Sequence, residues 1–253
     1  MKDILLQGKG ITKIFRQDSA ENKVLDGVDI TVYEKDFTVI MGTSGAGKST
    51  FLYALSGMDG ISDGQVFYRE QEISHRKENQ LAKLRAKEFG FVFQQTHLVS
   101  NLTLLENILV AGYVAGKEEP EKVRERTKNL LIQMGIESAA ARLPSQVSGG
   151  EAQRAAFARA MVSQPGILFA DEPTGALNKA NSTEVLSLMT ELNRQGQSIL
   201  MVTHDMRAAA RGNRILYMED GKILDELPLE PYSELEEKQR EERVSGWLSE
   251  MRW

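Results

Sequence analysis

At 253 residues and a net charge of −5, the chain suits one large α/β domain or two small ones with a sizeable core. Its acidic balance argues against a nucleic-acid footprint. The absence of cysteine excludes a disulfide framework and thiol chemistry. Met1-Lys2-Asp3 is followed by a short apolar run, Ile4 to Leu6, and the longest nearly apolar run is Ile108 to Gly116. The expectation is therefore a soluble chain with no signal peptide and no membrane span, so that any membrane role needs a partner.

Ile4 to Arg16 alternates well enough for a first strand, and Gln17 to Lys23 is expected as a polar loop. Val24 to Tyr33 forms a second strand, and Glu34-Lys35-Asp36 turns the chain into a third, the apolar Phe37 to Met41. Then comes Gly42-Thr43-Ser44-Gly45-Ala46-Gly47-Lys48-Ser49-Thr50, which fits G-x-x-x-x-G-K-[ST] between a strand and a helix, Ser49 to Ser56, ended by Gly57. A triphosphate needs many donors at close range. Glycines at 42, 45 and 47 let the backbone approach, its N–H groups form an anion nest, and the following helix adds its positive end. Lys48 supplies a cation for the β- and γ-phosphates, and Ser49 a hydroxyl for Mg²⁺. ATP and Mg²⁺ are the expected cofactors.

Asp63-Gly64 marks a turn before a short strand, Gln65 to Tyr68. A helix over Glu78 to Glu88 precedes a strand, Phe89 to Phe93, ending at Gln94-Gln95. Residues 96–143 are dominated by helical patterns, Leu104 to Val114 and Pro120 to Met134, and form an insertion between α/β elements. Pro144 to Gly150 is a loop in which Ser148 can cap the helix that follows, Glu151 to Ser163. The apolar run Ile167 to Ala170 closes in Asp171-Glu172. One carboxylate there suits a metal shell (Asp171) and the other a base for water (Glu172); an ordinary acidic turn is the bland alternative. A helix over Ala180 to Gln195, a strand over Ser198 to Val202, His204-Asp205 with a short helix, and strands near 214–218 and 222–226 complete the alternation. Such alternation argues a parallel sheet covered by helices. His204 and Gln94 both sit at strand ends, where one can donate to a γ-phosphate and the other can reach Mg²⁺ or the attacking water.

Together these segments resemble the ATP-binding subunits of ABC transporters over about residues 4–228. Gly42 to Thr50 matches Walker A, Gln94 in Phe91-Val92-Phe93-Gln94 the Q-loop, and Val147-Ser148-Gly149-Gly150-Glu151 the signature. Ile167 to Glu172 matches Walker B and His204 the switch histidine. Phe15 falls where the family places an aromatic that stacks on adenine; simple core packing is the bland alternative. Phe91 to Gln95 with His97-Leu98, Asn101-Leu102-Thr103 and Glu106-Asn107, and Ala170 to Leu177, resemble a branch serving macrolide efflux, lipoprotein release and antimicrobial-peptide resistance.

The resemblance implies a P-loop NTPase fold: an α/β, RecA-like parallel sheet core, an antiparallel β subdomain and a helical subdomain inserted over about 96–164. It implies an ATPase module over 1–228 and a C-terminal tail over 229–253. It implies a head-to-tail dimer in which Ser148, Gly149, Gly150 and Glu151 of one chain meet the nucleotide held by Gly42, Ser44, Gly45, Ala46, Gly47, Lys48, Ser49 and Thr50 of the other. Glu172, His204 and Gln94 would serve hydrolysis, and Ser49, Gln94 and Asp171 the metal. A transmembrane permease is the other implied partner, contacted through Thr96 to Asn107, which places the chain at the cytoplasmic face of the cell membrane. The rival classes with such a head are a cell-division regulator and a chromosome or DNA-repair ATPase. The latter inserts a long coiled coil between Q-loop and signature, and none is present here.

Three residues depart from the family pattern: Glu151 replaces a usual Gln, Asn178 a usual Asp, and Lys35 a usual turn Gly. In the tail, Glu234 to Arg243 is a charge run. Val244, Trp247, Leu248 and Met251 follow at i, i+3, i+4 and i+7, one helical stripe, expected to pack on the chain's own core or to dock on a membrane partner or second copy.

Overall fold

The computed structural model describes residues 2–17 and 20–251 and begins with a long hairpin, β1 (Ile4–Gln17) against β2 (Ala20–Tyr33). The polar loop expected over Gln17 to Lys23 is instead mostly strand, because pairing continues through Ile14–Lys23, Arg16–Glu21 and Gln17–Ala20. Arg16 donates to Glu21 Oε1 at 2.9 Å across the ribbon, and both side chains are exposed. A ribbon wet on both faces has no apolar alternation to announce it.

The chain folds as two compact units, Met1–Lys77 with Asn193–Trp253, and Glu78–Leu192. In the first unit β1 also pairs with β4 (Asp63–Tyr68), and β4 with the two-residue β5 (Gln71–Glu72), giving an antiparallel sheet ordered β2-β1-β4-β5. Between these strands in the chain lie β3 (Phe37–Met41) and α1 (Lys48–Leu55). Every residue of β3 is buried, as a parallel strand covered on both faces requires, and Phe51, Leu52 and Leu55 of α1 are buried as well. Lys35 turns into β3 at φ +65°, the left-handed conformation that a glycine would adopt without strain.

The second unit starts with α2 (Glu78–Glu88) and β6 (Phe89–Phe93). It continues through α3 (Leu104–Ala115), α4 (Pro120–Gln133), α5 (Gly149–Met161), β7 (Ile167–Asp171) and α6 (Lys179–Arg194). The strands β6 and β7 run parallel, and Phe89 and Phe91 pack on Phe169 with ring centroids 5.2 and 5.4 Å apart. Helices α3 and α4 pack against α5, whose Ala155, Ala156, Phe157 and Ala158 are buried. Helix α5 begins two residues earlier than the sequence suggests, because its glycines already have helical geometry behind the Ser148 cap.

The chain then returns to the first unit with β8 (Ser198–Thr203), α7 (Met206–Ala209), β9 (Arg214–Glu219), β10 (Lys222–Pro228) and α8 (Glu237–Glu250). There β3 lies between β8 and β9, parallel to both, and β10 adds antiparallel to β9. Helix α8 carries the apolar stripe. Val244, Trp247 and Leu248 are all buried within the first unit, with Trp247 Nε1–H donating to Asp225 Oδ2 at 2.8 Å and its ring edge-on to Tyr217. Those three residues of the stripe pack on the chain's own core, and the fourth, Met251, is half-buried. Trp253 lies outside the described residues.

Candidate functional site

The phosphate-type loop hangs between β3 and α1 in the first unit. A side chain at Gly42 would place its Cβ 2.0 Å from the Met218 carbonyl oxygen, so the loop leaves β3 at a spacing only glycine permits. Gly47 sits at φ +95° as the residue before α1 and would strike the Val24 carbonyl, at 2.9 Å, with any Cβ. Thr43, Ser44 and Gly45 are exposed, Ala46 is buried, and Gly47, Ser49 and Thr50 are half-buried. Lys48 is buried, and its ammonium donates to the carbonyls of Gly42 at 2.8 Å and Thr43 at 2.9 Å. Helix α1 has no side-chain cap and no acidic residue in its first turn. Its N–H groups and dipole therefore face the loop with no carboxylate from that turn to neutralise them, which is the electrostatics of an anion site.

Two more expected residues belong to this unit. Phe15 is 45% exposed on β1 with Lys13 Nζ 4.8 Å from its ring centroid, so it is not a core residue. The ring offers a face for stacking, and the lysine is held in turn by Asp59 Oδ1 at 2.7 Å and Gly60 O at 2.6 Å. His204 follows β8 and is exposed, directly before Asp205, which caps α7 by accepting from Arg207 N–H at 2.8 Å.

The second unit holds the remaining set. Asp171 ends β7, and Glu172 follows at φ +47°, a strained conformation for a non-glycine residue that turns it out of the strand's line. Gln94 is exposed beyond β6, and a Cβ at Gly175 would fall 3.1 Å from its amide carbon, so the Q-loop side chain lies over the loop that follows the carboxylates. Asn178 caps α6, its Oδ1 accepting from Asn181 N–H at 3.0 Å, a bond that the aspartate usual in the family would also make.

The signature is a closed capping box. Ser148 Oγ accepts from Glu151 N–H at 3.2 Å, and Glu151 Oε2 accepts from both the backbone N–H and the hydroxyl of Ser148 at 2.8 Å. These bonds hold the Glu151 carboxyl below its usual range, the backbone bond most, with Arg142 and Arg154 adding to the effect.

Two residues of α5 to which the sequence assigns no role of their own organise this unit. The Gln153 amide, 1% exposed, donates to Phe93 O at 3.0 Å, one residue before Gln94, and to Pro173 O at 2.8 Å, one residue after Glu172. Arg159 donates to Thr96 O at 2.8 Å and His97 O at 2.6 Å. One helix thus carries the signature at its start and ties the Q-loop and the carboxylate loop by its side. The available signal was a polar residue at 153 within the alanine-rich face of α5.

Comparison with known proteins agrees with this arrangement. Residues 25–175 match the family model described as ABC transporter. The chain is 40% identical over 223 residues to the lipoprotein-releasing system ATP-binding protein LolD of Aquifex aeolicus, covering 88% of this chain and 97% of that one. It is 38% identical over 224 residues to the macrolide export ATP-binding/permease protein MacB of Pasteurella multocida, but it spans only 34% of that protein's length. The structure is similar to the dimeric, post-hydrolysis ATP-binding cassette MJ0796 bound to ADP and Pi, with a TM-score of 0.83 at 34% identity over 90% of this chain and all of that one. With the family model spanning 25–175 and a 40%-identical relative matched over nearly its whole length, the chain belongs to the ABC transporter family.

Proposed function

We propose that this chain is the ATP-hydrolysing subunit of a transporter, working as a head-to-tail pair that drives a transmembrane permease. The observation that carries it is the glycine-walled start of α1, with no side-chain cap and no acid in its first turn, and with Lys48 donating to the Gly42 and Thr43 carbonyls. Phosphate oxygens bind an ammonium more strongly than backbone carbonyls do, so a triphosphate in the loop would draw Lys48 onto itself. In this reading Gly42, Ser44, Gly45, Ala46, Gly47, Lys48, Ser49 and Thr50 bind the triphosphate and Phe15 stacks on adenine. Glu172 accepts the proton of the attacking water, Gln94 orients that water, and His204 donates to the γ-phosphate. Ser148, Gly149, Gly150 and Glu151 form the surface that meets the nucleotide of the second copy, as the dimeric form of the related cassette supports.

Ser49, Asp171 and Gln94 offer a hydroxyl, a carboxylate and an amide oxygen, the hard donors that Mg²⁺ takes alongside phosphates. Bound there, the ion would neutralise charge on the β- and γ-phosphates. No described helix is long and apolar enough to cross a membrane, so attachment to its cytoplasmic face would run through the permease, by way of Thr96 to Asn107. Residues 1–228 would be the ATPase module, with its helical insertion over about 96–164, and 229–253 an added tail. The names of the relatives favour export of macrolides or release of lipoproteins as the work performed.

Glu172→Gln tests the chemistry. It keeps the shape but cannot accept a proton, so turnover falls about 10²–10⁴-fold while ATP still binds. The variant then accumulates as an ATP-bound dimer on size-exclusion chromatography, whereas Lys48→Ala, which loses tight ATP binding, stays monomeric. Wild-type turnover in Glu172→Gln would pass the base role to another group.

A further inference from the structure

Helix α8 holds a buried cation that its apolar stripe does not require. Arg240, 5% exposed, donates Nε–H to the Ala210 carbonyl at 2.6 Å and Nη2–H to the Gly212 carbonyl. The Ala210 carbonyl is the C-cap of α7, where a helix presents unsatisfied acceptors and favours positive charge, and the Gly212 carbonyl lies two residues beyond it in the segment leading to β9. The residue between them, Arg211, is also buried. It pairs with Glu237 of α8 at 3.2 Å and lies over the Tyr232 ring, 4.2 Å from its centroid. Gly212 is wedged against β3: a Cβ there would fall 2.6 Å from Val39 Cγ2 and 2.9 Å from the Phe37 carbonyl oxygen. Asn213 completes the wedge, exchanging bonds with the Phe37 backbone at 2.9 and 3.0 Å.

These contacts fix both sides of a short lever. At its far end α7 begins from Asp205, next to His204, and its four residues span only about 6 Å. That one turn of helix is braced by its own Ala209→Asp205 and Ala210→Met206 backbone bonds, which tie its two ends together. Val244, Trp247 and Leu248 would seat α8 by burial alone. Taking a guanidinium out of water is costly unless its partners are placed for it. That cost is met only where α8 stands in one register against the segment behind the histidine.

We propose that α8 is a clamp on the switch-histidine segment and that Arg240 is a positioning residue for His204. The proposal rests on the reading above in which His204 acts on the γ-phosphate. It assigns the tail a part in turnover rather than in ATP binding.

The test is ATPase kinetics on the full-length chain and a double-mutant cycle with His204→Ala. Arg240→Ala is expected to lower kcat about tenfold with KM for ATP unchanged. Arg240→Lys, which keeps the charge but loses the fork, should recover part of that loss. Arg243→Ala, on the exposed side of the same helix, should leave kcat alone. Because Arg240 acts through His204, the double variant should be no slower than His204→Ala alone.

A purely structural role would lower activity by the same factor in both backgrounds, and that additivity overturns the clamp. Wild-type kcat in Arg240→Ala overturns it too, whether or not Trp247 emission in a Trp253→Phe background shows α8 still seated. If Arg240→Ala does not fold, Arg240→Lys is carried through the same cycle and judged by the same additivity. Wild-type turnover in His204→Ala is a different failure: it removes the histidine's role itself, and the clamp with it.

Discussion

Two helix starts in this chain are built from similar glycine-rich sequence and end in opposite ways. Helix α1 begins after Gly47 with no side-chain cap and no acid in its first turn, and the Lys48 ammonium rests on the loop before it. Helix α5 begins after Ser148 with every available device in place: a serine cap, a reciprocal box, and the Glu151 carboxylate drawn onto the helix's positive end. A helix N-terminus attracts anions by default. In α1 the sequence leaves that attraction open to a ligand, and in α5 it satisfies the attraction internally. The contrast fits the division of labour proposed for the pair. On that proposal the open start would grip a nucleotide by itself, and the closed one would trade its internal bonds for a nucleotide brought by the second copy.

The largest expected effect that separates the two starts comes from Ser148→Arg. It destroys the cap and fills the approach to α5 but leaves α1 untouched. ATP binding to one chain should stay within about twofold, while ATP-driven dimerisation and hydrolysis disappear, to be followed by a nucleotide-binding titration beside a phosphate-release assay. Normal hydrolysis by this variant would mean that each chain completes its own site, and the contrast between the two starts would lose its functional meaning.

A smaller effect is expected inside the second unit. Gln153→Leu keeps the bulk of the side chain and removes both donors. It orphans the carbonyls of Phe93 and Pro173, at about 1–3 kcal/mol each when buried. Stability should fall in denaturant titration, and turnover should fall with it because Gln94 and Glu172 both lose their support. A variant as stable as wild type would show that water replaces the amide and that α5 does not organise the loops beside it.

The two starts also differ in how far the sequence exposed their surroundings. The α1 loop was legible because its requirements are contiguous: a strand, three glycines, a lysine and a hydroxyl in one short run. The carboxylate pair and Ser148 were legible in the same local way. Gln153 was not: a polar residue on the alanine-rich face of α5 hints at a buried amide, but its acceptors lie 60 and 20 residues away and cannot be read from that neighbourhood. Arg240 was hidden similarly inside a charge run whose other members are mostly solvated. The β1–β2 extension escaped because exposed ribbons lack alternation. The tail's stripe has a helical period and one covered face, so its packing on the core was legible. Periodicity and contiguous chemistry thus carry over to structure, whereas contacts distant in the chain do not.

The smallest effect concerns the charge at α5 itself. The hydrogen bonds from Ser148 lower the Glu151 carboxyl from its ordinary value of 4.5. For a depressed acid the stabilisation is fully present above that ordinary value. It is lost as pH falls through the lowered folded value, because the unfolded chain takes up its proton first. Glu151→Gln can still close the box through its amide oxygen but carries no charge to interact with the dipole. It should cost about 0.3–1 kcal/mol at neutral pH and flatten the acid limb of the stability curve below 4.5. The same change removes an anion from the surface that would receive a partner's γ-phosphate. ATP-driven dimerisation, measured in the Glu172→Gln background so that hydrolysis does not intervene, should therefore tighten by about two- to fivefold. The two shifts have opposite signs, which a general loosening of α5 cannot produce. A Glu151→Gln chain that dimerises more weakly would show that the carboxylate aids the partner's nucleotide, and the closed start of α5 would then be as ready for an anion as the open start of α1.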